Sequence, residues 1–196
     1  ERYKHESKKL SEIRKNSALQ LDDLINNEFP SLKLENANFK SFFEESVPSV
    51  NGIDRVTFRI KTNPNSEMGE IKNISSGGEL CRIALAIKVI AQKKNKTTMV
   101  FDEVDSGIGG AVSSAVGERL KKLGVSKQVI VVTHSPQVAA FGNDHFIVTK
   151  KIESNKSVIE LKKLNNEDKL NEIARMLSGK EITDEAVNAA KKLINQ

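Results

Sequence analysis

The residues Ser76-Gly77-Gly78-Glu79 stand at the start of a run whose apolar positions have the spacing of an amphipathic helix. Ser76 and Glu79 form the capping-box pattern, in which each side chain pairs with the backbone N–H of the other residue. Taken alone, that pattern predicts a well-formed helix start. The glycines favour another interpretation, because each costs a helix roughly 1 kcal/mol relative to alanine. Without Cβ atoms, the N-terminal amides can approach a phosphate closely, so we predict an anion site here.

Two carboxylates and a histidine follow two apolar runs further along the chain. Asp102 and Glu103 come directly after the run at 97–101, and Thr133-His134 comes directly after the run at 129–132. Ligands of open α/β sheets bind beyond the carboxyl ends of the strands. Neighbouring strand residues point to opposite sides, so one carboxylate can hold a metal-bound water while the other reaches an adjacent site. His134 is then a candidate for polarising or sensing a phosphate.

Each of these groups also has an ordinary interpretation. A pair of acids after a strand can be solvated loop residues, and a histidine there can simply be a polar strand end. The combination is more specific than any member alone. The sequence contains no phosphate-binding loop of the form Gly-x-x-x-x-Gly-Lys-Ser/Thr, and the nearest candidate, Gly179-Lys180, has Ala174 where the first glycine belongs. We therefore predict half of a nucleotide-hydrolysing site.

The elements that must position these groups alternate between helices and strands. Apolar residues from Leu80 to Ala91 share one helix face, and those from Val112 to Leu123 mark a second amphipathic helix. Buried apolar strands are predicted at 97–101 and 128–132. Continuous apolar strands that alternate with helices predict a parallel sheet covered on both faces. Later strands are predicted at 146–149 and 158–161, and closing helices at about 169–177 and 184–194, with Thr183-Asp184 as a cap.

The N-terminal part of the chain has a different pattern. Apolar and small residues seven positions apart (Tyr3, Leu10, Ser17 and Leu24) predict one helix from about 3 to 28. It would suit the end of an antiparallel coiled coil entering a globular head, although an ordinary surface helix has the same periodicity. Strand-like runs follow at 38–47 and 55–61, with Asn51-Gly52 as a hairpin turn and a loop at 63–73.

Composition sets broad limits on the function. The 196 residues include 29% charged and 38% hydrophobic residues, typical of a soluble globular protein. No apolar run approaches the ~20 residues of a membrane span, and no signal peptide is evident. The single cysteine, Cys81, fits a reducing compartment. A net charge of +5 permits contact with nucleic acid without requiring it. Because the chain begins at Glu1 instead of methionine, we expect a fragment or a processed chain.

The order of motifs resembles that of ATP-binding-cassette ATPases: a glycine-rich helix start, an apolar strand ending in Asp-Glu, and an apolar strand followed by histidine. Longer strings are similar to the RecN branch of the SMC-like DNA repair ATPases, from about Glu28 to the C-terminus. They are Gly52-Ile53-Asp54-Arg55-Val56, Thr62-Asn63-Pro64, the run from Ser76 to Ala86, the run from Phe101 to Gly110, and the run from Thr133 to Ala139.

The resemblance implies a role for each motif residue. Asp102 is implied to be the Walker B aspartate, which supports Mg²⁺ through water, and Glu103 the base that activates the attacking water. His134 is implied to be the switch histidine near the γ-phosphate. Ser76, Gly77, Gly78 and Glu79 are implied to form the signature motif, which contacts ATP bound to the opposing head. The run from Asp105 to Gly110 takes the place of the D-loop, with Gly109 where the general cassette pattern has an aspartate.

The resemblance also implies an architecture and partners. The fold is expected to be α/β: residues 1–28 would be the end of a coiled-coil helix, and residues 29–196 the C-terminal lobe of an ATPase head. An N-terminal lobe of the same protein would supply the P-loop, and two heads would dimerise around ATP. The implied function is recombinational repair of DNA double-strand breaks by a cytoplasmic, nucleoid-associated protein that contacts DNA and no membrane. The fragment alone is expected to be inactive.

Two alternatives stay open at this point. The chain could be the matching lobe of another SMC-like chromosome-maintenance ATPase, although the Gly-Ile-Asp-Arg and Asp-Ser-Gly-Ile-Gly-Gly strings argue against that. It could also be a non-catalytic module whose signature and helices only mediate dimerisation. The presence of both Glu103 and His134 argues against the second alternative, because a scaffold has no chemical need for either residue.

Overall fold

The computed structural model describes residues 1–74, 76–91, 98–153, 156–179 and 181–196. The chain divides into two compact units, Glu1–Lys96 and Thr97–Gln196, called here the first and the second unit. The first unit carries the glycine-rich helix start, and the second unit carries both carboxylates and the histidine. Each unit is described by itself. No helix in these described ranges is both long and apolar enough to cross a membrane.

The first unit begins with a long helix, α1 (Arg2–Glu28), which confirms the helix predicted from about 3 to 28. A 3₁₀ turn, Phe29–Leu32, follows it. The buried side chains of α1 are Ser7, Ser11 and Ile25. By contrast, Tyr3 and Leu24 of the seven-residue repeat are 45% and 39% exposed. The Tyr3 hydroxyl nevertheless donates to the carbonyls of Ser49 and Gly52 at 3.1 and 3.2 Å, so the start of the repeat lies against the β1–β2 hairpin of its own unit. Pairing of the repeat in a coiled coil stays a prediction.

The predicted hairpin is confirmed as two antiparallel strands, β1 (Asn38–Ser49) and β2 (Gly52–Lys61). A short third strand, β3 (Gly69–Glu70), pairs with β2 and is followed by a 3₁₀ turn, Ile71–Asn73. The prediction of an unbroken loop at 63–73 was therefore wrong in its second half. Two residues are too short a strand to leave a periodic signal in a sequence.

The outer edge of β1 is covered by side chains from α1. Asn26 donates to the carbonyl of Phe39 at 2.9 Å and accepts from the Phe39 amide at 2.8 Å. One turn earlier, Asp22 accepts from the amide and the hydroxyl of Ser41 at 3.0 and 2.7 Å. Unpaired backbone groups on an edge strand invite pairing with other chains. Asp22 and Asn26 therefore satisfy this edge in place of a neighbouring strand.

The second helix, α2 (Gly77–Ala91), completes the first unit. Its existence was predicted, but its buried face differs from the predicted one. The buried residues are Gly78, Arg82, Ile83, Leu85, Ala86 and Val89, whereas Leu80 is 38% exposed. Leu85, Ala86 and Val89 on this face are also apolar, so periodicity could not single out the buried side of a helix that is apolar at nearly every position from Ile83 to Ala91.

The second unit contains a parallel pair of strands, β4 (Met99–Asp102) and β5 (Val129–Val132), joined through helix α3 (Gly110–Gly124). This β–α–β order confirms the α/β prediction; Thr97 of the predicted strand lies outside the described residues. Met99 and Phe101 are buried, but Val100, Ile130 and Val132 are 58%, 47% and 55% exposed. The expectation of cover on both faces is therefore wrong for this chain, whose sheet is open on one face.

Smaller elements finish the second unit. Helix α4 (Pro136–Ala140) was not predicted, and strands β6 (Phe146–Glu153) and β7 (Lys156–Lys163) form an antiparallel hairpin of their own. The closing helices are α5 (Asn166–Ser178) and α6 (Asp184–Ile194). Thr183 caps α6 as predicted, because its hydroxyl accepts from the Ala186 amide at 3.3 Å. Ala140, Ile173, Ala174, Ala186 and Ala190 form the buried core between α4, α5 and α6.

Candidate functional site

The first turn of α2 has the geometry of a helix start that is open to a ligand. The Glu79 amide donates to the Ser76 hydroxyl at 3.3 Å, and the Leu80 amide donates to the Ser76 carbonyl at 3.0 Å. Ser76 and Gly77 are exposed, whereas Gly78 is buried. A Cβ at Gly77 would meet no atom within 4 Å. No steric contact among the described residues therefore requires glycine at position 77. Close approach of a ligand to the backbone is a physical reason for a glycine there.

A buried arginine, which the sequence analysis missed, fixes this turn from behind. Arg82 donates through Nε to the Gly78 carbonyl at 3.1 Å, and through Nη1 to the carbonyls of Leu32 and Lys33 at 2.9 and 2.7 Å. Lys33 has a left-handed backbone, with φ of 56°. Burial lowers the pKa of Arg82 below its ordinary value, and the nearby Glu79 offsets a part of that effect. The guanidinium therefore joins the end of the 3₁₀ turn after α1 to the first turn of α2.

The carboxyl end of β4 presents two exposed carboxylates, on Asp102 and Glu103. The Glu103 amide donates to the carbonyl of Val132 on β5 at 3.2 Å, and its carbonyl accepts from the Ser106 amide at 3.0 Å. Glu103 has φ of +50°, a left-handed conformation that residues other than glycine rarely adopt. Such conformations cost of order 1–3 kcal/mol and are found preferentially at functional sites, where the surrounding structure enforces them.

The carboxyl end of β5 is held by Asp105, which the sequence analysis placed at the start of the D-loop run without giving it a role of its own. Asp105 is 1% exposed. Its Oδ2 accepts from the Thr133 hydroxyl at 2.6 Å and from the Ser135 amide at 2.9 Å. His134 lies between these two donors with a side chain 80% exposed, and its Nδ1 is 3.7 Å from Asp105 Oδ2, a distance for an ion pair when the ring is protonated.

The structure thus brings three of the predicted site residues to one sheet edge. Asp102 pairs in register with Val132, so Asp102, Glu103 and His134 all follow the same end of the β4–β5 pair, inside the second unit. Ser76 to Glu79 lie in the first unit. The described residues contain no group of three or more His, Cys, Asp and Glu side chains placed to share a metal ion. A metal at Asp102 would therefore need further ligands, such as phosphate oxygens and water.

The loop between Glu103 and α3 turns on glycines. Gly107 and Gly110 have φ of 69° and 52°, whereas Gly109, at the N-terminus of α3, is extended with φ of −152°. Gly109 therefore has no conformational need to be glycine. A Cβ at Gly109 would meet nothing within 4 Å, so the described residues give no packing reason for the absence of a side chain there either.

The chain is similar to known DNA repair proteins over nearly its whole length. It is 41% identical over 196 residues to DNA repair protein RecN of Rickettsia prowazekii, covering 99% of this chain and 35% of the relative. It is 36% identical over 208 residues to RecN of Bacillus subtilis, covering 97% of this chain and 36% of the relative. The chain thus spans about a third of the length of these curated relatives, at their C-terminal part. No family model matches the chain.

Solved structures confirm the class of fold. The Smc head domain with a coiled coil and joint from Pyrococcus yayanosii superposes with a TM-score of 0.64 at 20% identity, covering 85% of this chain and 30% of that one. A chain from structural work on ATP-driven dimerization and DNA-stimulated activation of SMC ATPases gives a TM-score of 0.55 at 20% identity, with 85% and 99% covered. The fold expected from the sequence, the C-terminal part of an SMC-type head, is thereby confirmed.

Proposed function

From the similarity of nearly this whole chain to the C-terminal part of the RecN family of DNA repair proteins, we propose that it is the C-terminal lobe of a RecN-like ATPase that acts in recombinational repair of DNA double-strand breaks. The observation that carries the proposal is the convergence of Asp102, Glu103 and His134 at one end of the β4–β5 pair, in a chain with this similarity. Residues 1–28 would be the end of a coiled coil, and residues 29–196 the lobe itself.

The first turn of α2 fits the phosphates of ATP. The positive end of a helix dipole attracts an anion, and the open space at Gly77 lets the anion approach the backbone. Ser76, Gly77, Gly78 and Glu79 would make this contact as a signature motif, with nucleotide held by the opposing head.

The β4–β5 edge fits the hydrolytic part of the reaction. Asp102 is an exposed carboxylate, the ligand type that Mg²⁺ prefers, and would hold the ion through water. Mg²⁺, when bound, would neutralise charge on the phosphate oxygens. Glu103 would orient a water toward the γ-phosphorus and accept its proton as the bond to the leaving ADP breaks. His134 would contact the γ-phosphate from the neighbouring strand end.

The remaining parts of the site would come from other polypeptide segments. The P-loop, which this sequence does not contain, would lie in an N-terminal lobe of the same protein, and the signature would serve the ATP of a second copy. An SMC ATPase with this fold has been studied for ATP-driven dimerization, which supports head-to-head association here. The whole protein would contact DNA in the cytoplasm, in association with the nucleoid. This chain alone would not hydrolyse ATP.

The first experiment tests the proposed base in the full-length protein. Glu103→Gln should lower the turnover of ATP about 100-fold or more while leaving ATP binding in place, because the amide cannot accept the proton of the attacking water. Glu12→Gln, on the exposed side of α1, is the matched control and should hydrolyse ATP at the wild-type rate. Unchanged turnover in Glu103→Gln would refute the role of Glu103 and revive the interpretation as a non-catalytic module.

A second experiment tests whether the signature acts on the opposing head. Ser76→Arg and Glu103→Gln should each be inactive alone. Mixed in equal amounts, the two variants pair at random, so about half of the dimers contain one chain of each. In these mixed dimers, one of the two composite sites has both an intact signature and an intact Glu103. The mixture should recover about a quarter of wild-type turnover if the sites are shared across the dimer. If the signature served its own chain, no mixture would recover activity.

A further inference from the structure

Asp105 occupies a position that the proposed reaction does not use directly. It lies two residues after Glu103, in the loop that leaves β4, and its carboxylate is 1% exposed. Burying a carboxylate is costly unless hydrogen bonds compensate for the lost water. Oδ2 receives two such bonds, whereas Oδ1 is also buried and has no hydrogen-bond partner among the described residues. An apolar side chain would fill this position without that cost, so packing alone does not explain an aspartate here.

The two donors to Asp105 are the immediate neighbours of His134. The Thr133 hydroxyl donates at 2.6 Å and the Ser135 amide at 2.9 Å. Ser135 then caps α4, because its hydroxyl accepts from the Val138 amide. The backbone on both sides of His134 is therefore tied to one carboxylate, while the ring itself stands in solvent with 80% of its side chain exposed.

Asp105 also lies in the turn that fixes the backbone conformation of Glu103. The Glu103 carbonyl accepts from the Ser106 amide, and the Ile108 amide donates to the Asp105 carbonyl, so the turn that holds Glu103 at φ of +50° continues directly through Asp105. The Glu103 amide in turn donates to Val132, the last residue of β5. The segments after β4 and β5 are thus joined at the Glu103 amide and at Asp105, whose two donors lie on either side of His134.

We propose that Asp105 is a positioning residue, which sets His134 relative to Glu103 by tying the loop after β5 to the loop after β4. This inference rests on the proposed function for its effect on the reaction. Asp105 touches no reacting atom in this assignment. Its contribution is to fix the direction from which an exposed ring can reach the phosphate, and small errors in such placement are costly to the rate.

The test uses the full-length protein and four variants. Asp105→Ala should lower kcat for ATP hydrolysis about 10- to 100-fold and leave KM within about threefold, since His134 is required for the chemical step more than for binding. Asp105→Asn keeps an acceptor for both donors and should recover most of the loss. Asp144→Ala, which removes an exposed aspartate from the same unit, should be unchanged. In a His134→Ala background, Asp105→Ala should cost less than about threefold more.

Three results would overturn the proposal: additive losses in the double variant, an asparagine variant as slow as alanine, or an alanine variant with wild-type kcat. Amide exchange gives a readout that does not depend on turnover, because loss of Asp105 should speed exchange at Ser135 about tenfold or more, and unchanged exchange would contradict the tether. If Asp105→Ala does not fold, Thr133→Val removes one donor and should show both effects in weaker form. If the wild type lacks ATPase activity, the proposed function fails while the exchange result still judges the tether.

Discussion

Replacing Arg82 by alanine should open the first turn of α2 and the 3₁₀ turn that precedes β1. The guanidinium makes three hydrogen bonds, at 2.7–3.1 Å, to the carbonyls of Gly78, Leu32 and Lys33. Hydrogen bonds from charged groups contribute about 1.5–3 kcal/mol each, which gives roughly 5–9 kcal/mol before costs. Two costs offset half of this or more. One is the desolvation of the guanidinium, which also lowers the pKa of Arg82, and the other is the loss of about 2 kcal/mol of side-chain entropy.

A net loss of about 3 kcal/mol is therefore expected, which corresponds to roughly 100-fold faster opening of these turns. Hydrogen–deuterium exchange of the full-length protein measures this locally, in the peptides that cover 29–34 and 77–84. Arg82→Lys should recover only a part, because an ammonium lacks the planar fork of donors.

Arg175→Ala is the matched control for the Arg82 variant. Arg175 pairs with Glu172 one turn earlier on α5, with 53% of its side chain exposed. Loss of such a surface pair should cost about 0.5 kcal/mol or less. Exchange in Arg82→Ala that differs from wild type by less than about threefold would refute the reasoning, because the three bonds would then carry no local stability.

Two further predictions concern the second unit. Gly117→Ala should destabilise the full-length protein by about 1–3 kcal/mol in urea unfolding, because the new Cβ would lie 2.4 Å from Cδ2 of Phe141; Gly124→Ala, with nothing within 4 Å, should be close to neutral, and equal midpoints for both would contradict this. Burial lowers the pKa of His145, so the unfolded chain gains the proton first as the pH falls below about 6.5, and stability should decline there. His145→Gln should flatten that decline, whereas His5→Gln, on the exposed N-terminal turn, should leave it unchanged.

The sequence predicted a helix, strand or turn correctly where a few neighbouring residues determine it. Asn51-Gly52 predicted the hairpin but placed its turn one residue too late: the turn residues are Val50 and Asn51, and Gly52, with φ of +94°, is the first residue of β2. The α6 cap follows from Thr183, whose hydroxyl accepts the expected amide. Helix α4 was missed because it is five residues long, too short for a periodic pattern, although a serine cap and a proline at its first turn both signal it.

The residues that sequence reasoning missed act through partners far along the chain. Arg82 bonds to carbonyls about 50 positions earlier, and Asp105 bonds to donors 28 and 30 positions later. Nothing in the local pattern marks an arginine among apolar helix residues as a clamp, or an aspartate after Asp-Glu as a buried tether. The motif residues themselves were visible because helix starts and strand ends are local features. The groups that hold them became visible only with the tertiary structure.

The expectation that the β4–β5 sheet is covered on both faces was wrong for this chain, and the exposed face is consistent with the proposed function. The sequence of β4 and β5 is apolar at every position up to Asp102, which is typical of strands buried on both faces. In this chain, Val100, Ile130 and Val132 on one face are half exposed or more. Strands that are apolar on both faces are typical of sheets buried on both faces, and this chain spans about a third of its relatives' length. Under the proposed function, we expect an N-terminal lobe to pack on this open face, which ends at the strand termini that carry Asp102, Glu103 and His134.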